Sequence, residues 1–509
     1  MADRLFVGEA WQRAKRLAEI VYCNPFEDAR WEMERECLGD EYREREHYVT
    51  PRESQKALAP NLDRLLAMAG EILEKARKRL ETKPGVGSDS ELSVYENLMH
   101  FLLFHECITR FDKMIDDSLR GRGRSNQTDF YLEYRDRLRY FVGVDTRVRF
   151  TAEKEALYFA FYFQIRRAWL NTFQYLVGSS PAIMSLRARI WQSSFTRDMR
   201  RYQRSLYNRM SDIVTLITGA SGTGKELVAR AVALSRFVPF DLKKGGFAED
   251  FYAAFYPINL SALSPTLIES ELFGHRKGAF TGALQEKNGY FEECGEFGTV
   301  FLDEIGETSE EIQVKLLRVL QTRQFQRLGD TRLQGFVGKA MAATNRDLPE
   351  EIRKGKFRED FYFRLCADRI QTPHLKQALD GTGGELETMV SHIAYKLAGD
   401  EDGDGLTNEV CDWIKKKLGS SYAWPGNFRE LEQCVRNILI HGKYEAESLD
   451  IPRELDSDLK EAASDGMTAN QLLSRYAQEV YRTKGSYEET AKALGIDRRT
   501  AMLYVLGVE

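Results

Sequence analysis

Long apolar runs are missing from this sequence. The most apolar stretch, Ala156 to Phe163 (ALYFAFYF), is too short to cross a bilayer and is followed by Arg166 and Arg167. It is expected to be a core helix or strand, and no membrane contact is predicted. The opening segment MADRLFVGEAWQRAKR also lacks the uninterrupted apolar stretch of a signal peptide, so the expectation is a cytoplasmic protein. Cysteine is sparse: Cys23, Cys37, Cys107, Cys294, Cys366, Cys411 and Cys434 are odd in number, scattered and never in a CxxC pair. That pattern excludes a disulfide framework or zinc site and predicts free thiols in a reducing compartment. Neither sign of charge dominates. A net charge of -5 announces no basic field, so any nucleic-acid contact has to come from a local patch. Internal repeats are absent as well.

What is present is an ordinary globular composition on 509 residues, too many for one hydrophobic core. A multidomain chain follows. Residues 1–172 read as mostly helical: Leu62, Leu65, Leu66, Ala69, Leu73, Ala76 and Leu80 recur at helical spacing. The loop TKPGVGSDS (82–90) ends that pattern, and a second helical pattern runs from Glu91 to Leu119. RGRGRSNQTD (120–129) reads as a basic solvated connector, and the aromatics crowding 130–175 as core. From 173 to 372, short β-branched or apolar runs alternate with helices, the pattern of a parallel α/β sheet. A helical stretch (373–452), an acidic linker (453–466) and a small C-terminal unit (467–509) complete the chain.

The apolar run IVTLITG flows into Gly219-Ala-Ser-Gly-Thr-Gly-Lys225-Glu226 and then a helical pattern. Strand, glycine-rich loop and helix is the context a phosphate cradle requires. Gly219, Ser221, Gly222, Thr223 and Gly224 let backbone N–H groups turn toward phosphate oxygens. Lys225 adds a point charge for the β and γ phosphates. Glu226 stands where a hydroxyl residue usually meets magnesium, so another carboxylate is needed. Asp303, at the end of the apolar run TVFLDE, is the candidate to hold Mg2+, and Glu304 the candidate to polarise the attacking water. ATP is the substrate these groups suit.

Residues 177–440 resemble the central AAA+ domain of the sigma-54-dependent activators, the bacterial enhancer-binding proteins. The resemblance rests on VGSSPAI (177–183), GASGTGKE (219–226), ESELFGHRKGAFTGA (269–283), GTVFLDEIGE (298–307), LLRVLQ (316–321), AATNRDL (342–348), FREDFYFRL (357–365) and WPGNFREL (424–431). It implies that Gly278, Ala279, Phe280, Thr281, Gly282 and Ala283 form a projecting loop that touches sigma-54. It also implies that Asn259 holds the catalytic glutamate, that Thr344 and Asn345 are sensor I, and that Arg429 is sensor II in a helical lid. Arg358 and Arg364 are implied to face a neighbouring subunit's ATP, in a homo-oligomeric, hexameric ring.

The fold class expected is therefore a mostly α N-terminal region, an α/β P-loop AAA+ domain with helical lid, and an all-α C-terminal unit. SYEETAKALGIDRRTAMLYV (486–505) is similar to the Fis-type helix-turn-helix. Arg498, Arg499 and Thr500 stand near the start of its recognition helix, placed to reach an upstream DNA site. Residues 468–509 hold six Lys or Arg against five Asp or Glu, so a single copy is expected to bind DNA weakly. The function implied is ATP-driven remodelling of sigma-54 RNA polymerase. The alternatives are a DNA-bound regulator with a vestigial ATPase, and an AAA+ remodeller of another protein.

Three segments depart from the family pattern: an arginine-rich insertion (194–210), a long connection (237–255), and HLKQALDGTGGELE after Pro373. Asp400, Asp402, Asp404 and Gly405 imitate the start of a calcium loop, but Cys411 occupies its twelfth position, and the segment is expected to be a loop of the lid. His100, His105 and Glu106 are too badly spaced on a helix for a metal site. The N-terminal region is expected, by position, to sense a signal.

Overall fold

The computed structural model describes residues 4–44, 51–119, 128–250, 254–381, 383–419, 422–446 and 468–506. Most of the basic connector at 120–129 and all of the acidic linker at 453–466 lie outside these. The chain forms two units, Met1–Tyr444 and Glu445–Glu509.

Six helices open the first unit: α1 (Ala10–Ile20), α2 (Asp28–Leu38), α3 (Pro51–Thr82), α4 (Asp89–Leu119), α5 (Tyr131–Val142) and α6 (Ala152–Tyr175). In α3 the residues at helical spacing, Leu65, Ala69, Leu73, Ala76 and Leu80, are buried. Thr151 caps α6 by accepting the Lys154 N–H at 3.3 Å. The apolar stretch at 156–163 lies inside α6, with Phe159, Phe161, Tyr162 and Phe163 buried. Most of the aromatics crowding 130–175 are buried, as expected, while Tyr140 is exposed.

Helix α7 (Pro181–Phe195) leads to a parallel sheet of β1 (Thr215–Thr218), β2 (Phe255–Asn259), β3 (Thr299–Asp303), β4 (Lys339–Thr344) and β5 (Asp368–Gln371). Its order is β5-β1-β4-β3-β2. Strands β1, β3 and β4 are buried along nearly their whole length, which explains why their sequences run apolar without alternation. Because β4 and β3 follow β1 across the sheet, the segments leaving their carboxyl ends converge on one crevice. Beyond β5 lie helices Leu375–Leu379, Glu385–Lys417 and Asn427–His441, packed through Val390, Val410, Ile414, Leu431 and Val435.

The acidic segment at 400–405 is not a loop. It lies within the span Glu385–Lys417, immediately after a break at Gly399 (φ 75°, ψ -172°). A single glycine suffices to turn the chain, and acids in the first turn of the helix that resumes there suit its dipole. Among the described residues no cluster of metal-ligating side chains occurs. All seven cysteines are free thiols.

Two of the segments that depart from the family pattern hold the N-terminal helices onto the sheet domain. The insertion at 194–210 folds into short turns whose buried Tyr202 receives a hydrogen bond from Gln164 of α6 (2.7 Å). The connection at 237–255 includes a small hairpin, Phe240–Asp241 against Gly246–Phe247. Phe240 stacks on Tyr131 (4.4 Å) and Phe247 on Phe163 (4.2 Å). Helix α6 also reaches the end of the helix that follows the glycine-rich loop. Arg167 donates to Leu234 O (2.9 Å) and to Arg236 O (2.5 Å), and Gln164 to Ser235 O (3.0 Å). A guanidinium at a helix carboxyl end satisfies orphan carbonyls and complements the dipole.

Lys339 at the start of β4 is fully buried, its Nζ donating to Ile213 O (2.7 Å) and Met210 O (3.4 Å). Burial, with the Arg236 and Arg323 charges beside it, lowers its pKa to about 7, against a weaker opposing pull from Asp368. Between that value and the ordinary lysine range near 10.4 the unfolded chain binds the proton and the native state does not, so stability rises with pH. Wild-type Tm is therefore expected to gain on that of Lys339→Met as pH is raised from about 7 to 9. Parallel melting curves across that window would contradict this.

The second unit has helices Ala469–Lys484, Tyr487–Leu494 and Arg498–Leu506, with Ala477, Ala491 and Ala501 buried. Gly495 (φ 67°) makes the turn between the last two. Asp497 caps the final helix by accepting the Arg499 and Thr500 N–H groups at 2.9 and 3.1 Å. Arg498 and Arg499 are exposed on its first turn, whereas the Thr500 hydroxyl is bonded to Asp497.

Candidate active site

The loop after β1 carries Gly222 (φ 76°) and Gly224 (φ 83°) in the left-handed region, where a side chain would be strained. A Cβ on Gly222 would also stand 2.3 Å from Gly426 O, so the lid closes directly on this glycine. Helix Lys225–Ala233 begins at the loop's end. Lys225 is buried, its Nζ donating to Gly219 O (3.1 Å) and Ala220 O (3.2 Å) and lying 4.0 Å from a Glu304 oxygen. Burial lowers its pKa, and the Glu304 and Asp303 charges oppose that shift. Thr223 is tied inward, to Ala220 O (2.8 Å) and the Thr372 hydroxyl (2.7 Å). Glu226 is exposed and pairs with Arg230 one turn along (2.8 Å).

Strand β3 delivers Asp303 and Glu304 to the same crevice. Burial raises the Asp303 pKa, as does the neighbouring Glu304 charge, while the Glu304 N–H donates to its Oδ1 at 3.0 Å. Glu304 itself adopts φ 55°, ψ 46°. A non-glycine residue held in this region is a strained position of the kind that collects at functional sites. Its carboxylate accepts the Asn345 N–H (3.3 Å). Thr344, fully buried at the end of β4 opposite Thr218 of β1, accepts the Arg346 N–H (3.1 Å). From the lid, Arg429 reaches Ser221 Oγ at 3.4 Å.

Asn259 lies at the end of β2 in register with Asp303. Its Oδ1 accepts from Ser261 N (3.0 Å) and Ser261 Oγ (2.8 Å), capping its own turn, and the Glu304 carboxylate is met by Lys225 and Asn345 instead. Arg358 and Arg364 stand apart from the loop. Arg358 is paired with Asp360 (2.9 Å) and Glu310 (3.4 Å), and Arg364 donates to Leu320 O at 3.1 and 3.0 Å. Among the described residues no hydrogen bond links either to 219–226.

The segment 278–283 is a tight loop on a ribbon, Gly274–His275 paired with Lys287–Asn288. Main-chain bonds close it, Gly278 N to Ala283 O (2.9 Å) and Ala283 N to Phe280 O (3.0 Å). Phe280 meets the His275 ring edge-on at 5.0 Å, and Thr281 is exposed at the tip. Arg276 fixes the base through Glu286 (2.8 Å) and Asp330 (2.9 Å).

Two residues of this site are given no role by the sequence, although Asn427 lies within WPGNFREL (424–431). Thr372 belongs to no phosphate-loop motif and meets Thr223 only because β5 pairs with β1. Asn427 (φ 54°), buried in the lid, donates to Ser221 O (3.0 Å) and accepts the Leu375 N–H (3.0 Å). Its position after Pro425-Gly426 is the available hint, since Asn tolerates left-handed turns. Asn427→Ala is expected to cost about 1–3 kcal/mol by stranding both partners. It should lower Tm, with Asn427→Gly separating the lost bonds from backbone strain. An unchanged Tm in both would contradict the clasp.

The strand order, the loop after β1, the acids ending β3 and the helical lid together define an AAA+ P-loop fold. Residues 191–371 match the family described as Sigma-54 interaction domain. The chain is 35% identical over 347 residues to the transcriptional regulatory protein ZraR of Salmonella typhimurium, covering 64% of this chain and 67% of that protein. It is 42% identical over 225 residues to the Nif-specific regulatory protein of Azotobacter vinelandii, covering 44% of this chain and 39% of that one. To the DNA-binding transcriptional regulator NtrC of Azospirillum brasilense it is 35% identical over 325 residues, covering 57% and 63%. The chain belongs to the sigma-54-dependent transcriptional activators. It spans from about two fifths to two thirds of the length of these curated relatives. Among the described residues no helix is long and apolar enough to cross a membrane.

Proposed function

We propose that this protein hydrolyses ATP in a ring of identical subunits and uses the cycle to remodel sigma-54 RNA polymerase. The observation that supports the reading is that one unit brings Lys225, Asp303 and Glu304 to one crevice and also carries the ribbon-borne loop 278–283. Lys225 and the loop's N–H groups bind the phosphates, and Glu304 orients and polarises the attacking water. Carboxylate oxygens are the donors Mg2+ prefers, and Asp303, beside Glu304, would hold it. The ion supplies charge neutralisation on the phosphates when bound. Arg429 reports lid closure at Ser221. The exposed segment carrying Arg358 and Arg364 suits presentation to a neighbouring protomer's nucleotide. Asn259, next to Asp303, suits a residue that changes partner with nucleotide state.

In this reading 173–372 and 373–452 are the ATPase domain and lid, 1–172 a regulatory region, 453–466 a linker and 467–509 the DNA-binding module. Arg498 and Arg499 contact an upstream site, with avidity from the ring offsetting weak single-copy binding. The test is open-complex formation at a sigma-54 promoter with the full chain. ATP-dependent opening is expected, and no opening, or opening indifferent to ATP, would sink the proposal.

A further inference from the structure

We propose that the arginine-rich insertion at 194–210 is a second contact surface for duplex DNA, additional to the C-terminal helix-turn-helix, which grips the phosphate backbone without regard to sequence. In a chain of net charge -5 this segment holds five arginines, Arg197, Arg200, Arg201, Arg204 and Arg209, and one acid, Asp198. All five arginines are exposed. The segment turns through Met199–Arg201 and then a wider turn, Tyr202–Leu206, which bury Met199 and Tyr202 and leave the arginines outside.

The protein's own acids do not neutralise this charge. Asp198 serves as a helix cap, accepting the Arg201 N–H at 2.9 Å. Asp212, the next acid along, lies 3.7 Å from Arg323 of the core. Arg200 stands over the Tyr22 ring at 4.6 Å. Among the described residues no carboxylate pairs with Arg197, Arg201, Arg204 or Arg209. Behind the insertion, Arg236 and Arg323 add positive charge around Lys339, which donates to Met210 O. Like charges one turn apart, such as Arg201 and Arg204, repel, and a polyanion relieves that repulsion.

The surroundings of the charge select the partner. Single-stranded nucleic acids are held by bases stacking on exposed aromatics, but Phe195 and Tyr202 are buried and Tyr207 packs on Phe237 (4.8 Å). A helix lying in a membrane surface needs a free apolar face, and among the described residues the insertion exposes no large hydrophobic side chain. Guanidinium groups with nothing beside them to stack or insert suit the phosphate oxygens of a duplex. The near balance of charge in 468–509 leaves the helix-turn-helix short of this same contribution.

The test is a salt titration of binding by the full chain to a labelled duplex of about 30 base pairs and arbitrary sequence, between about 50 and 200 mM salt. It needs neither ATP nor polymerase, so its failure is separable from failure of the activator reading. A variant carrying Arg197→Gln, Arg201→Gln, Arg204→Gln and Arg209→Gln is expected to flatten the slope of log K against log salt by about 3 to 4, the value for four phosphate contacts. Its affinity at the low-salt end should fall by at least about tenfold, with Tm and ATP hydrolysis unchanged. Lysine at the same four positions should keep the slope, because a phosphate contact needs the charge. The glutamine changes should remove the same share of the slope in a background of Arg498→Ala and Arg499→Ala, which separates the insertion from the helix-turn-helix. The proposal is overturned if the glutamine variant binds duplex as wild type does, or if the lysine variant loses as much as the glutamine variant. It is equally overturned if Arg498→Ala with Arg499→Ala alone abolishes binding, or if single-stranded RNA or anionic phospholipid vesicles are bound in preference to the duplex.

Discussion

Glu304→Gln is expected to slow ATP hydrolysis by about 10²- to 10⁴-fold, the range for losing a general base. Gln retains the shape and an oxygen for the Asn345 N–H (3.3 Å in the native protein), so the strained backbone at 304 keeps its support. It removes the negative charge that lies 4.0 Å from Lys225 and that helps raise the Asp303 pKa. ATP affinity should therefore be unchanged or improved, because the crevice loses a charge repelling the γ-phosphate. A fall in kcat without a rise in KM is the signature of a residue acting on the reaction rather than on binding. Steady-state hydrolysis with a parallel nucleotide titration distinguishes this from a structural lesion, which would move both. Undiminished hydrolysis would assign the chemistry elsewhere.

The second large effect is expected outside the crevice. Thr281→Ala should leave ATPase rate and Tm as they are while cutting open-complex formation by roughly thirtyfold, the fold-change equivalent to about 2 kcal/mol at an interface anchor. The reasoning is local. Loop 278–283 is closed by main-chain bonds and braced by Arg276 and by the Phe280–His275 contact, and Thr281 stands exposed beyond them. Exposed substitutions away from such features rarely shift stability by more than about 0.5 kcal/mol. Loss of opening with ATPase retained separates engagement of the polymerase from fuel consumption. Equal activity of wild type and variant would detach the loop from function.

Legibility of the sequence tracked distance along the chain. The phosphate loop and the acids ending β3 are contiguous segments whose glycines and charges state their geometry, whereas 278–283 by itself reads as a glycine-flanked turn and takes its further meaning from the family resemblance. The apolar stretch at 156–163 reads as core by the same local logic, but eight residues do not decide between helix and strand, and the structure sets them inside α6. The segment at 400–405 reads as a loop because its acids and glycines favour turns, whereas one break at Gly399 satisfies the turn and lets a helix resume. Arrangements made by remote partners left little trace. Thr223 meets Thr372 across 149 positions, and Asn427 meets Ser221 across 206. In the sequence the insertion at 194–210 shows only as a departure from the family pattern, because Gln164, which holds its Tyr202, lies in another region.

The most direct test of the account is whether purified protein grips sigma-54 in a nucleotide-dependent way. Binding of the full chain to labelled sigma-54 should be compared without nucleotide, with ADP, and with a non-hydrolysable ATP analogue. Binding is expected in at least one nucleotide state and should be lost in Thr281→Ala. A protein that hydrolyses ATP yet binds sigma-54 in none of these states would contradict it.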